Sequence, residues 1–396
     1  MSEETIKILK MLEGGRISSK EADSLLSALN KGKPGHNRHH WQDNDDLHET
    51  LGGINPGMIV AEAMAGVKEG LQGLKGLKGL KGLKDIHIEM DDIRGSEMAD
   101  EEKVINIPAA GITAISINQP RSDFEIIGAE TGQITIKADI QVWGEDRDEA
   151  REKLKSLDIS TETENGVLKI KVDGPPWTKK RRAKVDFIIE MPKNITAEIS
   201  SASGEISVRN LFAGSRLSTA SGEISITDCK GESNLSTASG GIEVKGCTGA
   251  SLKINTASGD IEVNDCSGDL AFQTVSGDVS ISLLGDLQGQ TVSGDIDIRT
   301  EKTGQLKIRS TSGDIQFQGP VNEGSSAALA TVSGDVSVDL GRNSSAVVEA
   351  ATVSGEIDCE LDISGLRQGS RSFSGKLGDG KGNLSVKSVS GDITIS

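Results

Sequence analysis

"INTASGDIEVNDCSGDLAFQTVSGDVSI", residues 254–281, states nearly the same phrase twice. One parity runs through Leu252, Ile254 and Thr256, breaks across Ala257-Ser258-Gly259, and gives way to the other parity at Ile261 and Val263. A further switch precedes Cys266. Alternation with period two means strands, and a parity flip means a corner or bulge between them. Each repeat is therefore expected to hold two short strands and two bends.

Outward from this stretch, Ser-Gly recurs with its serine at 203, 221, 239, 258, 276, 293, 312, 333, 354, 374 and 390, in steps of 16 to 21 residues. That regularity marks a repeat architecture. Two arrangements satisfy it: coils stacked in parallel as a β-solenoid, or consecutive antiparallel hairpins with Ser-Gly at the turns. Parallel stacking puts equivalent residues about 4.8 Å apart, so ladders of like side chains become natural. Cys229, Cys247 and Cys266 each follow a repeat serine by eight residues, and the same slot holds Leu211 and Leu284 in the flanking repeats. Such a slot reads as an inward-facing core ladder. The expected fold is mainly β: a solenoid of parallel stacked two-strand coils. Ten or so coils would make a body about 50 Å long.

The corner pairs Ser258-Gly259, Ser276-Gly277 and Ser293-Gly294 then have structural work to do. Glycine allows the positive φ that a tight bend needs, and serine can hydrogen-bond backbone groups left over by the bend. The next residue is an acid at Glu205, Glu223, Asp260, Asp278, Asp295, Asp314, Asp335, Glu356 and Asp392. Carboxylates stacked at rung spacing repel by roughly 0.9 kcal/mol per pair in bulk water. The row is thus expected to face solvent, to be hydrogen-bonded locally, or to bridge cations. Calcium solenoids use a denser nine-residue Gly-Asp repeat, absent here, so no metal site is assigned. The cysteines are expected to act as small buried hydrophobes rather than disulfide partners.

At 396 residues the chain has room for two or three domains, yet only 2% of it is aromatic and there is no tyrosine. The core must be Ile, Val, Leu and Ala in thin layers. Residues 1–84 carry 12 Lys/Arg against 11 Asp/Glu, which leaves −18 of the net −17 on the remainder. An acidic body argues against a nucleic-acid partner, which demands concentrated Lys and Arg. No stretch reaches the roughly 18 apolar residues of a membrane span, and "MSEETIKILK" lacks the basic and apolar regions of a signal peptide. The expected location is cytoplasmic, or membrane-associated at the envelope.

Residues 1–30 read as a helical hairpin, with one apolar stripe at Ile6, Leu9, Met11 and Leu12 and another at Ala22, Leu25, Leu26 and Leu29. It is too small to bury a core alone and is expected to dock on a protein or envelope partner, on the body, or on another copy; the oligomeric state is not readable. Residues 31–99 are linker, holding all five histidines in no defined metal-site spacing. Within it "GLQGLKGLKGLKGLKD" repeats with period three. On an α-helix this period walks around the axis, and each glycine costs about 1 kcal/mol relative to alanine, so a long helix is not expected. Lys75, Lys78, Lys81 and Lys84, with Leu74, Leu77, Leu80 and Leu83, are the candidate contacts to an anionic membrane surface.

Residues 100–192 form a strand-rich first part of the β domain, interrupted by one helix at about 146–157, and residues 193–396 are the Ser-Gly-Asp repeats. The basic run "TKKRRAK", 178–184, is read as a charged loop or edge between strands. No histidine follows His87, so a Ser-His-Asp or Cys-His arrangement cannot be assembled in the body. No catalytic residue and no cofactor is assigned. The competing readings are a carbohydrate-active solenoid enzyme, which would need aromatic sugar platforms, and a cation-dependent adhesin.

The "SGDI", "SGDV" and "SGEI" repeats, preceded by "VDFIIEMPKNITAEISSASGEISV", resemble the bacterial β-strand-repeat family labelled "putative adhesin". The start, "ETIKILKMLEGGRISSKEADSLLSAL", is similar to the helical segment at the head of YvlB- and LiaX-like proteins of Gram-positive bacteria. The resemblance implies a non-enzymatic protein of the cell-envelope stress response that acts through membrane or envelope partners. It carries no catalytic or ligand residue to transfer, and it does not account for the Gly-Leu-Lys run.

Overall fold

The computed structural model describes residues 97–175, 183–369 and 371–396. The helical hairpin, the linker and the candidate membrane contacts Lys75 to Lys84 and Leu74 to Leu83 lie outside the described residues, as does most of the basic run, 178–182. The described chain holds 27 strands and one helix, and its repeats are parallel coils. Thus Leu217, Leu235, Ile254 and Phe272 stand in one column, and Ile224, Ile242, Ile261 and Val279 in another. Each coil contributes one strand to each of two facing columns, and the alternate residues of both meet between them. Because every rung offers Leu, Ile, Val or Phe at the same height, the inward ladders close into one continuous core. Each such side chain, taken from water, stabilises the fold by roughly 1.5–3 kcal/mol.

Between the two strands of a coil lie two bends. One is the Ser-Gly corner. The other places a residue in the left-handed region just before the cysteine slot: Asn210 (φ 60°), Asp228 (φ 53°), Gly246 (φ 65°) and Asp265 (φ 53°). Asn, Asp and Gly tolerate that region best. The shortest early repeat drops this residue, so Cys266 pairs with Leu283, and the register shifts between Val263 and Cys266. The slot expected for Leu284 therefore belongs to Leu283, which is 4% exposed, whereas Leu284 is 45% exposed. Counting from the serine failed because one residue was removed between the corner and the slot.

Rung order departs from chain order at both ends. Strands Ala114–Asn118 and Phe124–Ala129 lie between Val167–Asp173/Ala183–Pro192 on one side and Thr196–Ser200/Ile206–Arg209 on the other. Likewise Gly382–Ser390 and Ile393–Ile395 are inserted between the Ser326–Ser333/Val336–Asp339 coil and the Ala346–Thr352/Ile357–Cys359 coil. Ser374 consequently sits on the antiparallel strand Ser372–Leu377 and is no corner. The first end is finished by the antiparallel strands Gln133–Gly144 and Glu97–Pro108, and by Asp158–Glu164 on the other column. Helix Arg147–Lys155 is capped by Asp146, whose carboxylate accepts the Glu149 N–H at 2.8 Å, and it buries Ala150 and Leu154.

Candidate functional site

The Ser-Gly corner is built from four parallel rows. Two residues before each repeat serine, a hydroxyl side chain turns inward: Ser201, Thr219, Thr237, Thr256, Thr274, Thr291, Ser310, Thr331, Thr352 and Ser388 are all at most 5% exposed. Several close the corner by donating to backbone carbonyls, Thr274 to Ser276 at 3.3 Å and Thr291 to Ser293 at 3.2 Å. The sequence does carry this signal, in the Thr or Ser that opens nearly every "T-A/V-S-G" phrase, but alternation alone reads it as an ordinary core position. The serines come next and are exposed; Ser258, Ser276, Ser293 and Ser312 bridge to one another along the stack.

The glycine row has a different reason from the one expected. A Cβ on Gly259 would lie 2.1 Å from the carbonyl oxygen of Gly240, and one on Gly277 would lie 2.4 Å from that of Gly259. The backbones stack too closely for any side chain. A positive φ is an additional demand at Gly277 (129°) and Gly294 (123°), whereas Gly259 is not among the positive-φ residues.

The acids form the fourth row, and it is a hydrogen-bonded ladder. The carboxylate of Asp260 accepts the backbone N–H of Asp278 at 2.9 Å, Asp278 accepts that of Asp295 at 3.0 Å, and Asp295 accepts that of Asp314 at 2.9 Å. The ladder continues through Asp335, Asp392 and Glu356 at 2.8 Å each. Each carboxylate thus spends one oxygen on the next rung. A charge-assisted hydrogen bond is worth roughly 1.5–3 kcal/mol, which outweighs the like-charge repulsion of roughly 0.9 kcal/mol per pair. Aspartate has the reach for this bond, and the ladder lapses where the row reads Glu223 and Gly241.

At its other end the ladder restarts as Asp186, Asp123 and Glu205, with bonds of 2.9 and 3.0 Å. There Lys184 ties two rungs together, its Nζ 2.7 Å from Asp123 and 2.8 Å from Asp186. Partial burial opposes the charged ammonium, but the two carboxylates win and raise its pKa to about 12. Sequence reading placed Lys184 in a charged loop or edge between strands; its partners come from 61 residues away and from two residues on, and no local pattern announces the first of them.

Beside the ladder the outward face forms an open groove of about 420 Å³, lined by Asp260, Glu262, Asp278, Asp295, Asp297 and Asp314 among others. Of these, Asp297 is paired, with Arg299 at 2.5 Å. Among the described residues no group of three or more His, Cys, Asp or Glu side chains is placed to hold a metal ion. The groove offers a dense negative field, which is chemistry for attracting cationic groups.

The cysteines lie elsewhere, in the core. Cys229, Cys247 and Cys266 are 3%, 0% and 3% exposed and are free thiols. Their S–H groups turn to nearby carbonyls, Cys266 to Asn264 at 3.2 Å. The adjoining Cys229 thiol and burial push Cys247 up to about 11, and the Cys247 thiol and burial raise Cys266 as well. Such thiols are poor nucleophiles. No helix among the described residues is long and apolar enough to cross a membrane.

Parallel coils, a shared corner and a continuous outward ladder define a repeat-built β-solenoid with a patterned surface. The chain belongs to the family described as Toastrack DUF4097, whose model matches residues 112–318 and again 284–396. Residues 3–34 match the model of a SHOCT-like domain. A comparison with curated protein sequences finds no match. Among solved structures, the chain is similar to a "putative cell adhesion protein" from Clostridium sporogenes at 11% identity, covering 75% of this chain and 99% of that one, with a TM-score of 0.21. A "putative lipid binding protein" from Parabacteroides distasonis gives 12% identity, 75% and 96% coverage and a TM-score of 0.28. A "putative adhesin" from the same species gives 11%, 75% and 97%, and 0.27. At these TM-scores nothing about function is drawn from them.

Proposed function

We propose that the chain is a non-enzymatic binding scaffold of the bacterial cell envelope, whose repeat body presents an ordered surface while the N-terminal arm makes the membrane or protein contact. The observation that carries this reading is the aspartate ladder: it spends its side chains on holding one corner in place, rung after rung, and leaves a uniform acidic face instead of a cleft of dissimilar residues. Uniform ladders suit extended contacts, since each rung repeats the same small interaction. The near-neutral arm with its lysines and leucines complements an acidic body that an anionic surface would repel.

Co-sedimentation of the full-length protein with anionic and neutral lipid vesicles tests the reading. Binding to anionic vesicles that weakens with salt, and that falls when Lys75, Lys78, Lys81 and Lys84 are replaced by glutamine, is the expected result. Absence of binding at low salt would remove the membrane and leave a protein partner for the hairpin, to be sought by pull-down.

A further inference from the structure

The two ends of the stack are finished differently. At the first end both columns are extended by antiparallel strands, and the outer Asp158–Glu164 strand is blunted by the pairs Lys169–Glu164 and Lys171–Glu162. At the second end, among the described residues, only one column continues. Beyond the Ala346–Cys359 coil it carries two further strands, Ser372–Leu377 and then Ser364–Gln368. Among the described residues the other column stops at Ile357–Cys359, which pairs with Ile393–Ile395 alone and leaves one edge open. The end is therefore a step: a shelf two strands wide beside an unpaired edge.

The shelf and the edge are also where the core loses its cover. The preceding rung, Ile393 and Ile395, is 0% exposed. Ile357, Cys359, Leu361, Ile363 and Leu377 are only partly buried, and Leu366 is 50% exposed. Charge divides along the same step. Asp358 and Glu360 lie on or beside the open edge, Asp362 on the connection from edge to shelf, and Arg367, Arg371 and Lys376 on or beside the shelf, with Asp379 just past its end, all of them exposed. Among the described residues none of them forms an ion pair.

An acidic half and a basic half on one end, with a shelf the width of the missing strands, is a self-complementary shape. A two-fold axis lying in the end plane sets the shelf of one copy beside the open edge of the other, and does so twice. Each contact would bring opposite charges together, cover Leu366 and the partly buried aliphatic side chains, and give the Ile357–Cys359 backbone a neighbouring strand. We propose that this end is a docking surface for a second copy of the same chain, the two stacks clasping end to end through shelf and edge. The partner is a second copy because one end carries both halves of the match.

Sedimentation velocity of the full-length protein, with light scattering as a second mass measurement, tests it. The wild type is expected to dimerise. Glu360→Lys with Asp362→Lys should weaken the dimer about tenfold or more, and Arg367→Glu with Arg371→Glu should do the same. Mixing these two variants should restore a dimer, since each then offers the charge the other lacks. Circular dichroism and melting curves show whether the variants are folded; the exposed positions make misfolding an unlooked-for cause, and rescue on mixing rules it out. A monomeric wild type at 100-micromolar concentration (roughly the mM-to-μM affinity range), a dimer indifferent to both reversals, or variants that do not recover each other would overturn the proposal. A dimer held by residues 3–34 would be indifferent to both reversals and is caught by the same comparison.

Discussion

The ring of Phe272 fills the space that a side chain on Gly289 would need. The two residues face each other on adjacent rungs, and a Cβ on Gly289 would lie 2.1 Å from both Cε1 and Cζ of the ring. Phe272 is 1% exposed and Ile308 closes the other side at 2.9 Å, so the ring has nowhere to go. Gly289→Ala should therefore destabilise the protein by about 1–3 kcal/mol, as overpacking does. Combining it with Phe272→Leu should recover part of that loss. Urea unfolding of the two single variants and the double variant measures the coupling; strict additivity would show that ring and glycine are independent.

The Ser-Gly phrase is conspicuous in the sequence, but its two members should respond unequally. Ser276→Ala removes an exposed hydroxyl and should stay within about 0.5 kcal/mol of wild type. Gly277→Ala puts a methyl 2.4 Å from the Gly259 carbonyl and asks alanine to hold a φ of 129°. A loss of about 3 kcal/mol or more is expected. Thermal melts of the pair suffice, and equal effects would undo the close-stacking account of the corner.

Asp295 accepts from Asp314 and donates its own N–H to Asp278. Asp295→Asn keeps the acceptor and removes a charge from a repelling row, so it should be close to neutral or slightly stabilising at low salt. Asp295→Ala should cost about 1 kcal/mol, what remains of a charge-assisted hydrogen bond of roughly 1.5–3 kcal/mol once the repulsion of roughly 0.9 kcal/mol per neighbouring carboxylate is relieved. Denaturation at low and high salt separates the two contributions, because only the repulsion is screened.

Lys184 predicts an alkaline signature. Its pKa is raised from 10.5 to about 12 in the folded chain, so its pairs with Asp123 and Asp186 stabilise fully below about pH 10.5 and lose their contribution as pH climbs through 12. The side chain is 38% exposed, which keeps the effect below about 1 kcal/mol after solvent screening. The stability gap between wild type and Lys184→Gln should be level from pH 7 to about 10 and shrink above it. A gap unchanged at pH 12 would mean that packing of the lysine stem, and not its charge, accounts for it.

Much of the body is legible because a solenoid translates spacing into height. The parity flips around Ser258 and Cys266, the acid after each glycine and the apolar alternation all fall on rows that the stack then aligns. Helix Arg147–Lys155 likewise falls within the stretch, about 146–157, where a helix was expected. What stayed hidden was non-local. Asp158–Glu164 has one buried residue, Ile159, and too little apolar alternation to declare a strand; it exists because Val167–Asp173 supplies its partner. The shift from Leu284 to Leu283 turns on one missing bulge residue. The buried threonines looked like strand positions, and the acid ladder required knowing that the hydrogen-bond donor sits one coil away. Rung order at the ends is the extreme case, since Ser374 and Ser390 carry the same phrase and only one of them makes a corner.

That reordering changes how the stack comes apart. In a simple array the segments nearest the chain termini flank a single neighbour and fray first. Here Gly382–Ser390 and Ala114–Asn118 each lie between two parallel neighbours, so peeling either one tears two seams at once. At the second end the outermost strands, Ser372–Leu377 and Ser364–Gln368, are instead internal stretches of the chain, anchored at both of their ends, whereas at the first end Glu97–Pro108 pairs with Gln133–Gly144 alone. The last strands have been sewn inward, and the stack resists unravelling from a place where a thread would ordinarily be pulled.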